Sequence, residues 1–309
     1  MNSKIVVLLI FALGFNACSG KQNKKPTELA QAKRIFQMAN IPSMITDPDQ
    51  RAAYLAQHYW DNFNFADTIY VHEADVTEQA MSNYIDVLKR VQPDMASSSI
   101  KAMLAKAEVD STMFAYMAGL YDKYLYDPNS PMRDESLYIP VLQVITASAK
   151  VSEVDKIRPQ HLLDLALKNQ VGRPATDFIY TLPDGSTGRL HSIKADMLLL
   201  FFYNPDCHNC QQITRQLDDS EVVNRLMQSK QLKILAVYPD EDIEAWRKHV
   251  SLMPVSWINS YDKSLDLKNK EVYDLKAIPT LYLLDKEKKV VLKDATFAQV
   301  EAYLTNKSK

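Results

Sequence analysis

Apolar residues recur at helical spacing through residues 41–165 and gather into short unbroken runs after residue 166. Met81, Tyr84, Ile85, Leu88 and Val91 return every three or four positions, which sets them on one helix face. Ser97 to Ser99 are expected to cap a helix carrying Ile100, Met103, Leu104 and Ala107. Asp110 or Ser111 should cap the next, with Phe114, Met117, Tyr121 and Leu125 inward. Asp127-Pro128-Asn129-Ser130-Pro131 then breaks the pattern. A further helix is expected from about Glu135 to Ala149, with Pro140 near its first turns. Tyr54, Tyr59, Trp60, Phe63 and Phe65 read as core, because large aromatics dominate buried area.

The second half has a different rhythm. Phe178 to Thr181 is a short β-prone run, and Pro183-Asp184-Gly185 a turn. Met197 to Tyr203 and Leu232 to Tyr238 read as buried strands. Gln211 to Met227 suits one helix with Ile213, Leu217 and Leu226 inward, and Glu241 to Val250 another. Leu281 to Leu284 and Val290 to Leu292 should pair around Asp285-Lys286, before a last helix from Phe297 to Leu304. The alternation predicts an α/β domain over residues 166–309, with a central mixed sheet and helices on both faces, preceded by an all-α domain over 41–165.

Composition adds little to this picture until the cysteines are counted. The formal net charge is −2 and 47% of residues are hydrophobic, with no basic stripe interleaved with aromatics, so a nucleic-acid partner is not expected. The chain has three cysteines: Cys18, Cys207 and Cys210. Residues 1–18 read as a lipoprotein signal peptide, with a basic start at Lys4 and an apolar core from Ile5 to Phe15. That core is shorter than the roughly 20 residues a membrane span takes. Leu13-Gly14-Phe15-Asn16-Ala17-Cys18 resembles a bacterial lipobox, although Phe15 departs from its usual small residue. The resemblance implies that Cys18 is lipidated and anchors the chain to a membrane. Residues 19–40 are expected to form a polar linker, and Ser19-Gly20-Lys21 lack the acidic run associated with surface export, which favours the periplasmic side.

With Cys18 given to lipid, Cys207-His208-Asn209-Cys210 is the remaining thiol pair. A chain of 309 residues can bury a core without disulfide staples, so this pair reads as working chemistry. Two thiols three positions apart, where a strand gives way to a helix, can cycle between dithiol and disulfide. A closed zinc site would need four ligands; there is no second cysteine pair, and His191, His208 and His249 show no ligand spacing. A copper carrier would want wider cysteine spacing and a late histidine, and no histidine follows His249. No metal is therefore expected, and no cofactor beyond the Cys207–Cys210 disulfide itself.

Gly172-Arg173-Pro174-Ala175-Thr176-Asp177-Phe178, Asp184-Gly185, the strand Leu198 to Tyr203 and the Cys-x-x-Cys together resemble the thioredoxin-like TlpA/ResA family of membrane-tethered thiol–disulfide oxidoreductases. Ala277-Ile278-Pro279-Thr280 is similar to that family's cis-proline loop. The resemblance implies a thioredoxin-like domain in which Cys207 attacks, Cys210 resolves, and Ile278, Pro279 and Thr280 line the substrate. It also implies disulfide-containing exported proteins as substrates and a membrane thiol relay as electron donor. Arg51 to Asp67 resembles an N-terminal helical domain of unknown function found before thioredoxin-like domains in Bacteroidetes-type lipoproteins.

The motif's flanks depart from the family. Asp206 replaces a frequent tryptophan and, charged beside Cys207, opposes a thiolate. His208 acts the other way when protonated, as in strongly oxidising DsbA-like relatives, but Asn209 stands where those have proline. Phe201 occupies the place of a buried polar residue that would take the Cys210 proton, leaving Glu241, Asp242 and Glu244 as substitutes to consider. Two alternatives remain: a thiol peroxidase-like antioxidant, disfavoured because Asn204 stands where the peroxidase threonine belongs, and a non-catalytic lipoprotein whose helical domain binds a partner.

Overall fold

The computed structural model describes residues 34–275 and 277–307. The expected signal peptide, Cys18 and the expected linker up to residue 33 lie outside the described residues, as do Lys276 and residues 308–309. Residues 36–309 fall into one compact unit.

Six helices build its first part: α1 (Pro48–His58), α2 (Ala74–Leu88), α3 (Pro93–Ala107), α4 (Ser111–Tyr121), α5 (Glu135–Ala147) and α6 (Glu153–Ala166). Asp110 caps α4 by accepting from the Thr112 and Met113 N–H groups. Ser97 to Ser99 are not caps but lie inside α3, which starts earlier because Pro93 fits a first helical turn. Helix α5 packs against α3 and α6. Tyr59, Trp60, Phe63 and Phe65 are buried in the shared core with Tyr84, Met103 and Met117. Phe36, within the expected linker, stacks on Tyr59 with ring centroids 5.0 Å apart. Sequence reading did not resolve α1 or α6. Pro159 lies inside α6, and its apolar Val154 and Ile157 face outward, which blurs the periodic signal.

The second part is a seven-stranded mixed sheet of β1 (Ile179–Thr181), β2 (Thr187–Arg189), β3 (Met197–Phe202), β4 (Leu232–Tyr238), β5 (Ile258–Tyr261), β6 (Thr280–Asp285) and β7 (Val290–Leu292), in the order β2-β1-β5-β4-β3-β6-β7. Strands β3, β4 and β5 are parallel; β6 and β7 turn antiparallel at one edge, β1 and β2 at the other. Gly188 in β2 crosses the ring of Tyr180 so closely that a Cβ there would lie 2.4 Å from it. Five helices accompany the sheet: α7 (His208–Asp219), α8 (Glu221–Gln228), α9 (Ile243–Val250), α10 (Asp266–Asn269) and α11 (Phe297–Lys307).

Side chains of β3 alternate between two cores, as a strand's two-residue period requires. Met197, Leu199 and Phe201 join Leu217, Val223, Trp246, Val300 and Leu304 from α7, α8, α9 and α11. Leu198, Leu200 and Phe202 join Phe178, Tyr180, Leu190, Leu267 and Tyr273 on the other face. The single helix expected from Gln211 to Met227 is two. Ser220 is extended at φ −72°, ψ 118°, and its hydroxyl donates to Glu301 of α11 at 2.8 Å, so the chain turns there.

Candidate redox site

Strand β3 ends at Phe202, and its antiparallel register sets Phe202 opposite Thr280, the first residue of β6. That pairing brings the loop before β6 to the end of β3, where the cysteines lie. The Ile278-Pro279 bond is cis. Cys207 is the N-cap of α7: its Sγ accepts the Cys210 N–H at 3.2 Å, and its N–H donates to the Asn204 carbonyl at 3.1 Å. The Cys207 thiol is half-buried and faces the Ile278 carbonyl at 3.5 Å. Thr280 Oγ1 donates to the Ala277 carbonyl, bracing the same loop.

Cys210 lies one turn deeper and is 1% exposed. Burial pushes its thiol well above the usual range, and its hydrogen bond with Cys207 adds to the rise; the Asn204 N–H, 3.5 Å from Sγ, opposes it. Both cysteines are free thiols. Phe201 is fully buried in the same core, stacked on Tyr203 at 5.4 Å and edge-on to Trp257. The Tyr203 hydroxyl accepts the Trp246 Nε1–H at 3.0 Å, and burial pushes that phenol up.

Glu241, Asp242 and Glu244 are exposed and do not replace the missing buried acid. Asp242 is committed to the N-terminus of α9, where it accepts the Ala245 N–H at 2.9 Å, and Glu241 faces Lys268 at 3.5 Å. His208 and Asn209 are exposed on the first turn of α7. Asp206 is exposed; its N–H donates to Asn204 Oδ1 at 3.0 Å, and its charge reaches His249. Sequence reading missed Tyr203, Trp246 and the bonding role of Asn204. Asn204-Pro205 at a strand end is a turn signal that marks the spot without revealing the bonds. No group of three or more His, Cys, Asp or Glu placed to hold a metal occurs among the described residues.

Burial pushes the His249 imidazole below its usual value, and Asp206 partly offsets this. A base depressed in the folded state is neutral there while the unfolded chain binds a proton. Its contribution to stability is therefore present above the unfolded value near 6.5 and is lost as pH falls through the folded value. Urea unfolding between pH 7.5 and pH 5 is expected to show a smaller acid loss for His249→Gln than for the parent; equal losses would refute the assignment.

A mixed sheet with a parallel centre, an antiparallel hairpin beside it and a dithiol where the central strand meets its helix defines the thioredoxin-like class. A family model described as thioredoxin-like matches residues 195–290, and a domain of unknown function, DUF5106, matches residues 16–169. A thioredoxin-like protein from Bacteroides caccae is 48% identical, with a TM-score of 0.87 over 89% of this chain and 99% of that one. The chain thus belongs to the thioredoxin-like family, in a form carrying the DUF5106 domain ahead of the thioredoxin-like domain. The thiol-disulfide oxidoreductase ResA of Bacillus cereus is 27% identical over 143 residues, 44% of this chain and 78% of that protein. Probable nucleoredoxin 1 of Arabidopsis thaliana is 29% identical over 125 residues, 40% of this chain, which spans only 21% of that relative's length. Among the described residues, no helix is long and apolar enough to cross a membrane.

Proposed function

We propose that this protein is a thiol–disulfide oxidoreductase of the bacterial periplasm, tethered by lipid at Cys18, that reduces disulfides of exported proteins. The observation that carries the chemistry is the stacking of two thiols at one helix end. Cys207 is within reach of solvent beside the Ile278 carbonyl, and Cys210 lies beneath it. The Cys207 thiolate attacks one sulfur of a substrate disulfide; a Cys207–substrate S–S bond forms, and the first substrate thiolate leaves and takes a proton from water. Cys210 gives its proton to solvent and attacks Cys207 Sγ. The Cys207–Cys210 disulfide forms, and the second substrate thiolate departs. The substrate has gained two electrons and the dithiol has lost them. A membrane dithiol relay is the class of donor that would restore it.

Burial of Cys210 supports this order of events, since a thiol shielded from solvent waits for a partner already bound to Cys207. The resemblance to TlpA/ResA proteins favours reduction over oxidation. Cys210→Ser expressed in the full chain should accumulate mixed disulfides through Cys207, and the captured proteins name the substrates. A dithiol potential near about −270 mV fits a reductase and one near about −120 mV an oxidant. Absence of any mixed disulfide, with no exchange between Cys207 and small thiols, defeats the reading.

A further inference from the structure

Asn204 meets both halves of the dithiol, its own turn and the residue that follows β4 through four hydrogen bonds. Tyr203 N–H is still paired with the Val237 carbonyl of β4 at 3.1 Å, as the sheet ladder continues past β3. The next N–H, that of Asn204, leaves the ladder and points at Cys210 Sγ, 3.5 Å away. The Asn204 carbonyl accepts the Cys207 N–H at 3.1 Å. Its side chain then fixes the segment at both sides. Oδ1 accepts the Asp206 N–H at 3.0 Å, and Nδ2 donates to Asp240 Oδ2 at 3.0 Å. Asp240 follows the end of β4, and its other oxygen faces Lys268 of α10 at 3.7 Å. The turn carrying the cysteines is thereby tied to the neighbouring strand end rather than held by its own chain alone.

Phe201 leaves this site without a buried carboxylate to take the Cys210 proton, so resolution depends on what stabilises the thiolate that forms there. A backbone N–H held at fixed distance meets such a charge without reorganising when it forms. We propose that Asn204 is a positioning residue for the resolving half-reaction, its side-chain brace to Asp240 holding its N–H on Cys210 Sγ. The inference rests on the reading of Cys207 and Cys210 as the redox pair. The brace bears on the second sulfur: Cys207 Sγ takes its own donor from Cys210 N–H, a bond inside α7 that Asn204 does not make. Besides Asn204, the groups around Cys210 are the Cys207 thiol and the Tyr203 phenol; beyond them stand Asp206 in the same turn, His249 on α9 and Asp240 after β4.

Ellman's reagent separates the two half-reactions on the full chain. Attack by Cys207 releases a first thionitrobenzoate and leaves a second bound as a mixed disulfide; attack by Cys210 on Cys207 Sγ releases the second. Asn204→Ala and Asp240→Ala are each expected to slow the second release about tenfold and to move its pH profile upward. The first release should stay within about twofold of the parent. The double variant should be no slower than the slower single, because both act through one bond. Asp240→Ala touches neither cysteine and keeps the test open if Asn204→Ala folds poorly. Equal slowing of both releases, an unchanged second release in either single, or additive losses in the double would overturn the inference. A parent protein that releases only one thionitrobenzoate would instead refute the redox-pair reading beneath it, and the inference with it.

Discussion

Cys207→Ser should lose disulfide exchange by about a hundredfold or more at neutral pH, although a thiol remains in the site. The remaining thiol is the wrong one. Cys210 is 1% exposed, packed among Phe201, Tyr203 and Leu217, and no substrate disulfide reaches it without disturbing that core. Its ionisation works against it as well. An ordinary thiol is a few per cent thiolate near pH 7, and each unit of upward displacement cuts that fraction about tenfold. Burial displaces Cys210 upward, so little attacking species is present. Cys210→Ser is the counterpart: it retains the first attack and loses the release. The measurement is the rate of reduction of a small peptide disulfide, with urea unfolding to verify that both variants keep the fold. Residual activity in Cys207→Ser should climb with pH, as more of Cys210 ionises. A Cys207→Ser protein that keeps more than about a tenth of the parent rate would show that Cys207 is not the attacking sulfur.

What sequence could reveal about this site was its contiguous part. The dithiol, the apolar run of β3 and the Ile278-Pro279-Thr280 loop each occupy a few adjacent residues with one dominant chemical character. The rest is assembled from distant segments. Trp246 reaches Tyr203 across 43 positions, and Ser220 turns its helix through Glu301 across 81. No local pattern encodes either contact. Strand β5 was missed for a related reason. Ile258-Asn259-Ser260-Tyr261 has little apolar character of its own and is a strand because β4 pairs with it in parallel. Asn204 was weighed as a residue that was not a threonine; the structure shows it by what it bonds. The missing acid at Phe201 was legible as a substitution, but its consequence was not, since Asp242 is spent on a helix cap, Glu241 on a lysine, and Glu244 is exposed.

Lys293→Met should cost about 3–5 kcal/mol of stability, the largest loss expected from any single change outside the core. Lys293 follows β7, and its side chain is 6% exposed. Its ammonium contacts Glu135 Oε1 at 2.6 Å at the start of α5, and donates to the Ala166 carbonyl at 3.0 Å and the Lys168 carbonyl at 2.7 Å. The Ala166 carbonyl is the last of α6 and Lys168 follows just beyond it, where a helix has acceptors left unpaired and its dipole favours a cation. One charge thus closes a helix end and ties the helical part to the sheet edge, beside the Arg133–Asp294 pair. Methionine keeps the apolar stem and removes the donors, so the Glu135 carboxylate and two carbonyls lose the Lys293 ammonium together. Removing both charges in Glu135→Gln/Lys293→Met should recover part of the loss, because a half-buried carboxylate deprived of its ammonium costs more than an absent pair. Urea unfolding of the parent, both singles and the double measures the cycle, and a Lys293→Met within about 0.5 kcal/mol of the parent would refute the tie. The consequence reaches the redox site. Ala295 N–H bonds the Leu281 carbonyl at 3.0 Å, so the segment that Lys293 anchors also borders β6, one residue past the Pro279–Thr280 junction. Loosening it should therefore slow exchange at Cys207 before the protein unfolds, which distinguishes a joint that supports the site from one that only holds two parts together.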